Sequence, residues 1–196
     1  MDRVYIVGID EVPKRLNLAE REHLRLTFIV MPGVSAEVPF EIKIGKSGVH
    51  LEIFGLYLSP RNEQVRFDFT VRHLVGGAHS SQQFRGIVGG TARAEFDGLV
   101  YVAPDAQKTE AFQENHAILL SEGAVAESRP QLEIYADDVK CSHGATSGYL
   151  NPEELFYLRS RGIPESEARR MQMISFITPV ISHLPEELKE QILSRL

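Results

Sequence analysis

The run Asp137-Asp138-Val139-Lys140-Cys141-Ser142-His143-Gly144 brings two carboxylates, a thiol and an imidazole together. Thiolate and imidazole are ligands for zinc and iron, and in an extended chain the side chains of residues i and i+2 share one face. Cys141 and His143 are therefore the candidate metal ligands. Two donors do not close a tetrahedral site, so others would have to come from His73, His79, His116 or a second chain. The same pair could act as a nucleophile and its base, but no orienting third group or oxyanion donor accompanies it. The alternative without chemistry is a free thiol buried at a turn, because unpaired cysteine is among the most buried residue types. Taken singly, His50, His73 and His79 read as surface or corner residues. Gly76-Gly77 and Gly89-Gly90 lack the pattern of a phosphate-binding loop and read as tight corners.

The elements that must position this cluster are mostly strands. Between His23 and Asp138, alternating apolar and polar residues predict strands at 23–30, 38–44, 48–58, 64–75, 83–88, 92–102, 116–120 and 131–135. In Val65-Arg66-Phe67-Asp68-Phe69-Thr70-Val71 every second side chain is apolar, so one face is buried. Val49–Leu58 and Ala92–Val102 look like copies of one unit. Successive starts lie about 12 to 18 residues apart with no helix between them, which suits antiparallel hairpins or the coils of a β-helix. Asn-Gly hairpin turns are missing, and that favours the solenoid. Residues 1–22 are ambiguous: a first strand at Val4–Val7, then a charged stretch, Leu16–Glu22, in a loop or short helix. The cluster itself reads as the end of a strand before a helix.

From Asn151 the period changes. Asn151, Pro152 and Glu154 are the start signals of a helix over 152–161 that stops at Gly162. Pro164 opens a second helix, with Ile174, Ile177, Ile181 and Leu184 on one stripe and Pro179 inside to kink or divide it. Pro185 opens a third, with Leu188, Ile192 and Leu196 aligned. These stripes must be buried against each other, the solenoid's open end or a partner. The expected division is a β core over 1–150 and a helical domain over 151–196.

Composition restricts the function. The 196 residues carry 21 Lys+Arg against 27 Asp+Glu, a net charge of −6, and 43% are hydrophobic. That describes a globular chain and argues against a dedicated nucleic-acid binder, whose affinity comes from basic residues on phosphates. The single cysteine excludes an intramolecular disulfide and suits a reducing compartment. No segment approaches the roughly 18 apolar residues of a membrane span, and no signal peptide pattern opens the chain. The reading is a soluble, cytoplasmic protein.

One long string carries a family likeness. Ala106-Gln-Lys-Thr, Leu119-Leu-Ser-Glu, the run from Pro130 through Cys141-Ser-His to Gly148, and Glu154-Leu-Phe-Tyr-Leu-Arg-Ser-Arg-Gly-Ile resemble the C-terminal half of the SufB/SufD family, scaffold proteins of the SUF iron–sulfur cluster assembly system. The resemblance covers roughly residues 48–183 and is closer to SufD. SufB-like chains tend to have Glu after the histidine, where this chain has Gly144, and an additional upstream cysteine. Family members also carry a substantial region ahead of the β core, whereas this chain starts almost directly with strands. The resemblance implies a right-handed parallel β-helix with a small C-terminal helical domain. It implies docking of SufC, an ABC-type ATPase, on the C-terminal helices, and pairing of the β-helix with a SufB-like subunit or with itself. A transient iron–sulfur cluster would form at that interface, none being tightly bound by this chain alone, with no catalytic residue here. Two rivals remain: a metal-free oligomerising solenoid, and a β-helical carbohydrate-active enzyme, for which Asp68, Glu95 and Asp97 are the candidate carboxylates.

Overall fold

Alternation along each segment produces strands, and the chain lays them down in two sheets by turns. The computed structural model describes residues 1–19 and 23–196. The strands are β1 (Asp2–Ile6), β2 (Arg15–Leu18), β3 (His23–Val30), β4 (Ala36–Ile44), β5 (His50–Ser59), β6 (Gln64–His73), β7 (His79–Val88), β8 (Arg93–Val102), β9 (Glu110–Leu119), β10 (Val125–Ile134) and β11 (Lys140–Tyr149). Three helices follow: α1 (Pro152–Ser160), α2 (Glu165–Ile181) and α3 (Glu186–Leu193). Odd strands form one sheet in the order β1-β3-β5-β7-β9-β11, and even strands form the other, β10-β8-β6-β4-β2. Every pairing is parallel, as between β5 and β7 or β6 and β8. The result is a parallel β-solenoid of about five turns rather than a stack of hairpins.

Register partners on adjacent coils are 23 to 32 residues apart in sequence. The shorter spacing read from the sequence is thus half a coil. Val49–Leu58 and Ala92–Val102, which look like copies, belong to opposite sheets, as β5 and β8.

The interior is filled by the alternate residues. Val65, Phe67, Phe69 and Val71 of β6 are buried and in register with Ala36, Val38, Phe40 and Ile42 of β4. Phe28 meets Phe69 with centroids 5.0 Å apart, and Phe84 meets Phe96 at 4.6 Å. Each such side chain contributes roughly 1.5–3 kcal/mol by leaving water.

Several strands are longer than the alternation predicts. β7 starts at His79, β9 at Glu110 and β10 at Val125. Their early inward positions hold Ser80 and Gln82, or Ala111 and Gln113, so the apolar signal fails while the pleat continues. Residues 16–18, in the stretch read as loop or helix, belong to edge strand β2. Glu20, Arg21 and Glu22, in the same stretch, lie outside the described residues.

The helices follow their sequence signals. Asn151 Oδ1 accepts from the N–H of Glu153 at 2.9 Å and of Glu154 at 3.3 Å. Gly162 ends α1 at φ +86°, a left-handed position that favours glycine. α2 runs through Pro179 undivided, because the proline sits in its last turn. Met173, Ile177, Val180, Ile181, Leu184 and Ile192 share a core with Ile29, Phe54, Leu56, Leu58 and Ile87. The helices therefore cover the flank of the odd sheet, not the solenoid's open end. Both faces of β5 are buried, which explains its unbroken apolar run from Ile53 to Leu58, Gly55 included. The secondary structure changes between Tyr149 and Pro152, and the segments on either side share this core.

Candidate metal-ligand site at the open end

β10 and β11 are the last strands of their sheets. Cys141 is the second residue of β11, not the end of a strand, because Lys140–Tyr149 is itself extended. Cys141 pairs in register with Ala111, and His143 with Gln113. Ala111 and Gln113 are buried inside the coil, so both candidate ligands lie on the interior face of the final strand, as their i, i+2 spacing requires.

The two ligands differ in environment. Cys141 is half-buried and packs against the cluster of Val100, Val102, Ala106, Ala111 and Ala136. Burial pushes its thiol up, and a weaker hydrogen-bond effect from the Ala111 backbone pulls it down. The thiol therefore holds its proton at neutral pH, and the thiolate forms only when a metal displaces that proton. His143 is exposed.

A polar column stands behind His143. Gln82, Gln113 and His143 occupy one register position on β7, β9 and β11. Gln113 Nε2 donates to Gln82 Oε1 at 3.2 Å. Gln82 Nε2 and Gln113 Oε1 are buried without a hydrogen-bond partner among the described residues. Beside this column, Tyr57 OH donates to Asn115 Oδ1 at 3.1 Å, and Asn115 Nδ2 to Ser128 Oγ at 2.5 Å. The last coils thus have a polar interior that leads to the candidate ligands. The apolar pattern gave no sign of it; the only sequence signal is the recurrence of Gln and His at one coil period.

The other histidines do not complete the site. His73 is fully buried rather than at a corner, with Nε2 2.8 Å from Ser80 Oγ. Burial holds its pKa at about 4 and keeps it neutral. Ser80 lies two strands from Cys141 along one register column, about 10 Å away. His79 and His116 face outward. His79 Nδ1 is 3.5 Å from Glu110, and His116 Nδ1 is 2.5 Å from Thr146 Oγ1. Both are on the other side of the sheet from Cys141. Asp137 and Asp138 sit on an exposed corner.

The carboxylates of the rival enzyme reading are on the outer face of the even sheet. Arg66 lies 3.0 Å from Glu95 and 2.6 Å from Asp97, and Arg129 lies 2.5 Å from Asp97. The Arg129 hydrogen bond, with both guanidinium charges, holds Asp97 below the usual carboxylate range. Asp97 thus lacks the raised pKa that the general acid of a glycosidase needs.

Residues 11–176 match the family described as SUF system FeS cluster assembly, SufBD core domain. The chain belongs to the SufBD core family. This SufD-like chain is 42% identical over 147 residues to the iron–sulfur cluster assembly protein SufD of Escherichia coli, covering 74% of the chain and 35% of the relative. It is 39% identical over 110 residues to SufD of Bacillus subtilis, 56% of the chain and 25% of the relative. It is 34% identical over 186 residues to protein ABCI7, chloroplastic, of Arabidopsis thaliana, 86% of the chain and 39% of the relative. The chain spans about a third of the length of these relatives. Among the described residues, no helix is long and apolar enough to cross a membrane.

Proposed function

We propose that this SufD-like chain is a non-enzymatic scaffold subunit of iron–sulfur cluster assembly. The observation that carries the reading is the open last coil, which presents Cys141 and His143 on its interior face beside an unpaired strand edge. The Lys140 N–H bonds back to Thr109 on the β9 side. Backbone groups alternate along a strand, so the N–H groups of Cys141, His143, Ala145 and Ser147 point to the free edge. An extended strand of a second chain, a SufB-like subunit or another copy, would take up these groups and place its own donors against the pair. The cluster is cargo formed there, with Cys141 and His143 as two of its ligands.

The helices supply a second contact. α1 has no buried residue, and Phe156 and Tyr157 are 76% and 57% exposed. Arg161 lies over the Tyr157 ring, and Arg159 pairs with Glu165 at 3.3 Å. An apolar centre with a charged rim suits a reversible protein interface. The partner in this reading is a SufC-type ABC ATPase.

The test is anaerobic co-expression with a SufB-like subunit and a SufC-type ATPase, followed by iron and sulfide analysis. The expected result is a co-purifying complex that forms clusters. Cys141→Ser should leave assembly of the subunits and the melting temperature nearly unchanged and lower cluster formation. Clusters formed by the variant complex at the unaltered rate would return Cys141 to the role of a packed thiol.

A further inference from the structure

The outer face of the odd sheet carries a column of donors at one corner of the solenoid. His23, His50, His79, Glu110 and Lys140 occupy one register position on five successive odd strands. The imidazoles of His23 and His50 meet edge to face with centroids 4.6 Å apart, and those of His50 and His79 stack at 4.5 Å. Two residues after His50, Glu52 emerges on the same face. Its Oε2 is 2.9 Å from His23 Nε2. One ligand atom from each of His23, His50 and Glu52 lies within 4.8 Å of the others.

We propose that His23, His50 and Glu52 form a binding site for a divalent first-row transition-metal cation, separate from Cys141 and His143. Two neutral imidazoles and one carboxylate are the donors that hold zinc and non-haem iron, and three protein ligands leave positions open to water. Binding would insert the cation between His23 Nε2 and Glu52 Oε2, now 2.9 Å apart, with the neutral His23 imidazole carrying its proton on Nδ1. Arg25 competes for Glu52, with Nη2 2.8 Å and Nε 3.2 Å from Oε2. It also reaches Asp2 at 3.3 Å, so it keeps a carboxylate partner when the metal takes Glu52. His50 is three strand spacings from Lys140, the neighbour of Cys141, about 14 Å, so one cation cannot bridge this triad and Cys141. The inference does not depend on the cluster-assembly reading.

Titration of the full chain with Co2+ tests it, read by visible absorption and by competition with Zn2+. The expected result is one saturable equivalent per chain. His50→Gln should weaken binding by about tenfold or more, and the double variant His23→Gln/His50→Gln should abolish it. Glu52→Gln, nearly isosteric, gives the same answer if the double variant does not fold. Cys141→Ser/His143→Ala should bind as the unaltered chain does. Absence of saturable binding would overturn the proposal. So would retained affinity in Glu52→Gln together with His50→Gln, or loss of binding in Cys141→Ser/His143→Ala.

Discussion

Tyr57 and Gly86 are register partners on adjacent coils, and the tyrosine ring occupies the space a side chain at 86 would need. The same exchange recurs two residues earlier in the other direction, where Phe84 fills the space beside Gly55. Large on one coil meets small on the next, and this fixes the relative register of β5 and β7. Gly86→Ala should therefore destabilise the chain by about 1–3 kcal/mol, the usual range for overpacking. Combining it with Tyr57→Leu should recover part of the loss. Urea denaturation of the two single variants and the double measures this coupling.

Acid should weaken the fold through His73. Unfolded, His73 takes up a proton near its ordinary value of 6.5; folded, it does so only at about 4. The unfolded state thus binds more protons between these values. Stability is full above about pH 6.5 and falls as the pH drops toward 4, by up to roughly 3 kcal/mol. His73→Gln cannot titrate and keeps a polar group for Ser80, so its denaturation midpoint should vary less between pH 7 and pH 5. His50 and His183 are also held below their ordinary range, mainly by burial, and leave a residual slope of the same sign.

Ala145→Pro probes the free edge. The Ala145 N–H points away from β9, and proline is tolerated on an edge strand where that group faces outward. The variant should keep nearly the melting temperature of the unaltered chain while weakening association with a SufB-like subunit or another copy, as read by analytical ultracentrifugation. Undiminished association would move the contact away from β11.

Phe156 and Ile177 separate binding from folding on the helices. Ile177 is fully buried and Phe156 is 76% exposed. Ile177→Ala should lower stability by about 2–4 kcal/mol. Phe156→Glu should leave melting unchanged and weaken capture of the SufC-type ATPase by about 2 kcal/mol if it strikes a hot spot. Deleting residues 151–196 is a poorer test, because it would bare Phe54, Leu56 and Leu58 of the sheet flank.

What the sequence made legible follows the range of the interaction involved. The inward face of β6 and the shared face of Cys141 and His143 depend on a period of two, which is local. His73 is in phase with Val65, Phe67, Phe69 and Val71, so the same alternation places it inside although its type suggests the surface. The columns Gln82–Gln113–His143 and His23–His50–His79 depend on how many residues each coil spends on its corners, which no local pattern carries. β11 stayed hidden because Ser142, Gly144, Ala145, Ser147 and Gly148 have no apolar period; its interior face has no further coil to pack against in this chain.

The packing of α2 also bears on how the molecule comes apart. Contacts within a solenoid join neighbouring coils, so such an array can unravel from one end. Here Thr27 Oγ1 and His183 Nε2, 156 residues apart, are 2.8 Å from each other, and α2 lies across β5 and β7. The helix ties middle coils together after all of them have been made. Unzipping from the free edge should therefore stall at β7, and the chain should lose its middle coils and its helices in one step. During synthesis the outer face of β5 stays bare until α2 emerges, and for that interval a nascent chain carries an adhesive apolar strip.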